Sequence, residues 1–305
     1  MKIGLVDVDG HRFPNLALMK ISAFHKQNGD CPEFAVPMFG KYELVYMSKV
    51  FTNTPDYLYS FNCEIQKGGT GYKDYGVLPP AIEHITPDYS LYGIDYAMGF
   101  LTRGCPNSCS WCIVPKKEGS IRKNAEINEF IADKKKVVLL DNNILASDWG
   151  LCQIEECIKL GIKVDFNQGL DVRLIAGDKY IIKLLSHVKY INYLRVACDT
   201  KTQLPYIKQA VNELKNVGIK PYRIFVYTLI RDFYDSIYRI EELKRLGVKP
   251  FAQPYLDFDK PNIKQWQKDL ANWTNKKSVF YSCEFKDFSP RKGFKCSEYY
   301  NMENK

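Results

Sequence analysis

Six short apolar runs, at about 96–102, 136–140, 162–167, 191–198, 222–229 and 248–255, constrain this chain more than any other feature. Each has the length and β-rich composition of a buried strand, and the segments between them carry apolar residues at helical spacing. Leu204, Ile207, Val211 and Leu214 fall on one helical face, and Ile237, Ile240, Leu243 and Leu246 fall on another. Strand starts recur every 25 to 40 residues or so, the period of βαβ units, so six parallel strands with right-handed crossovers are expected. The fold class is therefore α/β, with a partial (β/α)6 TIM-like barrel two strands short of a closed one. A helix over about 261–274 and a short apolar segment at 279–282 would close its lower side.

The first ninety or so residues read as a smaller unit. Ile3, Leu5 and Val6 make a strand of 2–8 that ends in Asp7, Asp9 and Gly10, and Pro14-Asn15 opens a helix running to about Gln27. Further strands are expected near 33–36 and 44–47, a β-α-β opening that predicts a small Rossmann-like domain. From 52 to 90 the pattern breaks into prolines, tyrosines and the run Lys67-Gly-Gly-Thr-Gly-Tyr72, which reads as a loop-rich linker. The expected division is 1–92, 93–258 and a C-terminal helix and tail over 259–305.

Where the first barrel strand ends, the chain reads Arg103-Gly-Cys105-Pro-Asn-Ser-Cys109-Ser-Trp111-Cys112-Ile-Val-Pro115. Three thiolates at C-x3-C-x2-C spacing can each take one corner of a cubane cluster, leaving the fourth iron without a protein ligand and open to a substrate or cofactor. Zinc usually takes four ligands in paired spacing, and no histidine or second C-x2-C follows nearby. The ten cysteines are too sparse for a disulfide scaffold, so a reducing compartment is expected, with isolated ones such as Cys63 and Cys198 acting as small buried hydrophobes.

This loop, its aromatic residue before the third cysteine and its place after the first barrel strand resemble the radical S-adenosylmethionine (SAM) superfamily. The resemblance implies a [4Fe-4S] cluster on Cys105, Cys109 and Cys112 whose unique iron is chelated by SAM. It also implies an electron donor such as flavodoxin or ferredoxin, and reductive cleavage of SAM to a 5′-deoxyadenosyl radical that removes a hydrogen atom from substrate.

Ligands on parallel α/β folds gather at the carboxyl ends of strands. Asp141 and Asn142 end the second strand, where the superfamily often has Gly-Gly-Glu beside the SAM amino group; here the glycines are missing. Gln168, Asp171 and Arg173 follow the third strand, and Asp199 follows the fourth; an Arg173 contact to the SAM carboxylate and a plain N-cap at Asp171 are the two readings of that stretch. Lys116, Lys117, Glu118, Arg122 and Lys123 read as a solvated charge run.

In the N-terminal unit, Asp9-Gly-His11-Arg-Phe-Pro14 stands where a cobalamin-binding domain carries D-x-H-x-x-G, with Ser48 and Gly68-Gly69 in the order of that family's later motifs. Cobalamin is thus a candidate cofactor through Asp9, His11, Ser48, Gly68 and Gly69. The alternative is that His11 packs at a turn and the domain is a cobalamin-free docking surface. His25, His84 and His187 read as ordinary half-buried or surface histidines.

The leading expectation is a radical SAM enzyme performing C–H functionalisation on an unknown substrate, by methyl transfer if cobalamin binds. Methylthiotransferases share the Cys-Ile-Val-Pro phrase but carry three further N-terminal cysteines, where this chain has only Cys31 and Cys63. From a different class comes a non-catalytic iron-sulfur or zinc protein that binds nucleic acid, which a net charge of +8 permits. No apolar run reaches the ~18–20 residues of a membrane span, and MKIGLVDVDG turns acidic too early for a signal peptide. The expected location is cytoplasmic, with no membrane partner.

Overall fold

A computed structural model describes residues 1–257 and 262–302. The expected division at 258 and the expected helix start at Pro261 lie outside the described residues.

The N-terminal unit is a parallel sheet of β1 (Lys2–Asp7), β2 (Cys31–Phe34), β3 (Leu44–Ser48) and β4 (Glu64–Gly68) in the order β2-β1-β3-β4. Between β1 and β2 runs α1 (Leu16–Gln27), whose N-cap Asn15 accepts from Leu18 N at 3.2 Å. Ile3 and Leu5 pack with Leu18 and Ile21 on the helix side, while Val6, Val45 and Met47 build a second layer with Tyr42. β2 begins two residues earlier than expected because the turn after α1 is tight. Cys31 N–H already donates to Met1 O at 2.8 Å.

The central region carries all six expected strands as β5 (Ala97–Gly99), β8 (Lys136–Leu139), β9 (Lys163–Phe166), β12 (Leu194–Ala197), β13 (Ile224–Ile230) and β14 (Lys249–Pro254). They do not form one ladder. A parallel sheet β11-β9-β8-β5 holds the first three, and a parallel sheet β10-β12-β13-β14 holds the last three. At the seam, the two-residue strands β10 (Leu170–Asp171) and β11 (Lys189–Tyr190) take the edges that β9 and β12 would otherwise offer each other. Gly169, at φ +81°, turns the chain out of β9 into β10. Side chains still span the seam, with Arg195 bonding Asp165 at 2.6 Å and Tyr227 OH donating to Asn167 O at 2.9 Å.

The expected strand at 96–102 is cut short. The Asp141 carboxylate accepts from Leu101 N, Thr102 N and Thr102 Oγ1, taking the N–H groups a sheet partner would need. The chain then leaves the sheet as β6 (Thr102–Arg103), which pairs antiparallel with β7 (Arg122–Lys123) and closes the base of the cysteine loop.

Helices α2 (Asp148–Lys159), α3 (Lys179–His187), α4 (Leu204–Asn216), α5 (Phe233–Arg245) and α6 (Gln265–Asn275) lie between and after these strands. The predicted faces are the buried ones: Leu204, Ile207, Val211 and Leu214 on α4, and Ile237, Ile240 and Leu243 on α5. At about 1.5–3 kcal/mol per fully buried side chain, each face outweighs the modest propensity differences along its helix. The segment at 279–282 is helical (Lys277–Ser282), and Phe280 packs on Trp273 at 4.8 Å in a second core with Phe233, Trp266 and Phe285.

Two sequence expectations need correction. His25 is 4% exposed, held between Asp30 (2.7 Å) and Tyr46 (3.2 Å), because α1 turns it under β3. Glu118 is buried rather than solvated, its carboxylate paired with Arg103 at 2.9 Å, so the charge run is folded partly inward. No described helix is long and apolar enough to cross a membrane, and all ten cysteines are free thiols.

Candidate metal and cofactor site

The cysteine loop is pinned at its neck by the β6–β7 ladder and by Cys105 N–H donating to Gly119 O at 3.2 Å. Gly104 allows this closure: at φ +84° a Cβ would lie 2.2 Å from Ser120 O. Beyond the neck, Cys112 N–H donates to Cys109 O at 3.0 Å. The sulfurs receive weak donors, Asn107 N (3.5 Å) and Asn143 Nδ2 (3.5 Å) at Cys105 and Val114 N (3.4 Å) at Cys112. Burial pushes the Cys109 thiol up, Cys112 adds to that and Arg173 opposes it; burial also raises Cys112, against the Val114 amide. The three cysteines thus share one electrostatic neighbourhood with Arg173 and Asp199.

Among the described residues no three His, Cys, Asp or Glu side chains stand ready to share a single metal ion. A zinc ion would draw its sulfurs to within about 4 Å of one another, given Zn–S bonds near 2.3 Å. In a cubane each thiolate binds its own iron.

The expected residues at the strand ends divide by task. Asp141 braces the turn before the loop; burial pushes its pKa up to about 6, against the Thr102 and Leu101 donors that favour the charged form. Asn142 accepts from Gly104 N at 3.1 Å, anchoring the neck. The residue beside the thiols is Asn143, which sequence reasoning passed over: its Nδ2 reaches Cys105 Sγ and Asp171 Oδ2 (3.4 Å), while its buried Oδ1 has no partner. An orphaned acceptor beside the first cysteine is a place for a ligand donor. All three residues of Asp141-Asn-Asn143 are equally polar, and strand alternation stops at Leu139, so only the backbone turn decides which one points inward.

Asp171 does cap the short helix Val172–Ile175, accepting from Arg173 N at 3.1 Å, and it also grips the Arg173 guanidinium at 2.8 and 2.6 Å. Burial works to raise its pKa, but Arg173 and Asn107 (3.0 Å) outweigh that and hold it below the usual carboxylate range. Of the two readings of this stretch the N-cap is the one observed, with the Arg173 guanidinium paired to the capping carboxylate itself. Asp199 accepts from Leu229 N at 2.9 Å; burial raises it, with the Leu229 amide, Arg239 and Arg231 opposing. Gln168 is exposed. Arg231 lies 3.8 Å over the Trp111 ring and lines a cavity of about 370 Å³ with Thr200, Asp232, Asp235 and Arg239. Cys105, Asn143, Asp171, Arg173 and Asp199 are thus gathered from the ends of four strands around one loop.

The residues expected to hold cobalamin sit at the carboxyl ends of β1, β3 and β4, but on one another. Asp9 accepts from Val50 N, Phe51 N and Thr54 Oγ1. The His11 ring stacks on Phe34 at 4.0 Å, and Ser48 accepts from Asn15 at 2.8 Å. Gly69, at φ +102°, has Lys49 O where a Cβ would be, 2.5 Å away; Gly68 faces Asp74. Gly69 thus serves a close backbone approach, whereas a Cβ at Gly68 would meet only the Asp74 carboxylate at 3.5 Å; no step below involves cobalamin.

No protein-family model matches the chain, and no curated protein matches it in sequence.

Proposed function

We propose that this chain is a radical SAM enzyme, its two four-stranded sheets forming the halves of a partial (β/α)6 barrel around the cysteine loop. The observation that carries the reading is the convergence on that loop of three thiols, the Asp171–Arg173 pair and the orphaned Asn143 oxygen. Cys105, Cys109 and Cys112 would hold a [4Fe-4S] cluster. When bound, the cluster supplies one electron and SAM supplies the hydrogen-abstracting group.

The protein's own residues do the positioning. Asn143 Oδ1 offers an acceptor to the SAM ammonium, and the face of the Arg173 fork turned from Asp171 offers donors to its carboxylate. Asp141 and Asn142 hold the loop's neck, which keeps the cysteines at a fixed distance from these groups. Trp111, backed by Arg231, shields one flank from water. A one-electron donor such as flavodoxin or ferredoxin is the partner this chemistry needs. The ten free thiols support a reducing, cytoplasmic location as part of the same proposal.

The test is anaerobic reconstitution with iron and sulfide, then reduction in the presence of SAM. About four irons per chain and formation of 5′-deoxyadenosine are expected, both lost when Cys105, Cys109 and Cys112 are replaced by Ala. Full iron content in those variants would sink the assignment.

A further inference from the structure

β13 alternates buried Ile224, Val226, Thr228 and Ile230 with half-buried Phe225, Tyr227 and Leu229. The buried set packs under α4 and α5, in the two cores that hold Leu204, Ile207, Phe233 and Ile237. Strands of a parallel α/β sheet are normally covered on both faces. Here the second face keeps a row of rings partly open.

Strand register lines this face up in two rows, Arg195–Phe225–Lys249 and Ala197–Tyr227–Phe251. Phe225 and Phe251 stack at 5.4 Å with 29° between planes, and Tyr227 stands edge-on to Phe251 at 6.0 Å. Lys249 closes one end, its Nζ 3.1 Å from Tyr193 OH, and no carboxylate pairs with it among the described residues. Across the seam, Asp165, 6% exposed, bonds Arg195 through Oδ2, while its Oδ1 and Arg195 Nε are both buried without partners. One acceptor and one donor are left unused beside the ring wall. Tyr227 OH, held by Arg195 at 2.6 Å, donates to Asn167 O just ahead of the Asp171–Arg173 pair, so the wall adjoins the strand-end site.

We infer that this face is the substrate wall and that its ligand is an aromatic anion. A flat ring would lie on Phe225 and Phe251 with its phosphate or carboxylate at Lys249, and the Asp165–Arg195 pair would offer hydrogen bonds to the ring edge. Stacking is tolerant of ring identity, whereas the Lys249 ammonium, over the Tyr193 and Phe225 rings and without a carboxylate partner among the described residues, selects charge. The inference rests on the proposed radical chemistry for what happens to the ligand, but not for its binding.

The test titrates the full chain, reconstituted and in excess SAM, with adenosine 5′-monophosphate, adenosine, indole-3-carboxylate and indole by calorimetry. At least one anion should bind about tenfold more tightly than its neutral counterpart, the size of one charge-assisted contact. Lys249→Met should abolish that preference, Lys249→Arg should keep it, and Phe251→Leu should weaken the anion and its neutral counterpart alike. Binding of the nucleotide alone assigns a nucleotide, and of the carboxylate alone an aromatic acid. If neither anion binds, or if the preference survives Lys249→Met, the wall is wrongly assigned. Deoxyadenosine is measured on the same samples. Its formation without anion binding overturns the wall and leaves the radical reading standing, and the reverse result does the opposite.

Discussion

Replacing Asp141 by Asn isolates the brace that ends β5. The carboxylate is 6% exposed and accepts from two backbone amides and the Thr102 hydroxyl. Burial dominates, pushing its pKa up to about 6 in the folded chain from the ordinary 3.8 of an aspartate. A carboxyl that holds its proton more tightly when folded stabilises the native state as pH falls, the reverse of a salt-bridged one. This contribution is complete below the unfolded pKa and is lost as pH rises through the folded one. Comparing proton binding in the two states gives a gain on the order of 1 kcal/mol between pH 7 and pH 5. Asn cannot titrate and forgoes that gain. Urea unfolding of the protein without metal at both pH values should therefore show wild type gaining on the order of 1 kcal/mol on Asp141→Asn at the lower pH. A difference between the two proteins that is the same at pH 5 and pH 7 would refute the account of a desolvated carboxylate at the neck of the loop.

Gly69→Ala forces a side chain into Lys49 O at a backbone conformation open essentially to Gly alone, so a loss of at least about 1–3 kcal/mol in urea stability is expected; an unchanged midpoint would mean the β3–β4 contact is looser than its geometry. Arg195→Met strands Asp165 as a buried charge without its cation and should cost about 3–5 kcal/mol. The double variant Asp165→Leu, Arg195→Met should recover most of it, and equal losses in single and double variants would show that the pair does not bridge the seam.

Strand and helix positions were largely legible because each apolar run is short, β-rich and separated from the next by a helix with one buried face. The cysteine loop was legible as a cluster of three thiols because its spacing is a local property of eight residues. Asn143 was not, since three adjacent polar residues differ only in which way the turn after β8 sends them. The buried state of His25 and Glu118 was hidden for a related reason: their partners Tyr46 and Arg103 lie 21 and 15 residues away. Pairing between strands is a nonlocal matter. The sequence by itself determined six strands, the helical faces that cover them and the thiols at the end of the first. Only the tertiary structure decided that the strands divide at a seam after β9, that Asp141 takes the amides ending the first strand, and that Gly69 lies against the Lys49 backbone. Residue type and period encode local conformation, but which edge a strand pairs with, and what fills the space opposite a glycine, depend on chain brought in from elsewhere.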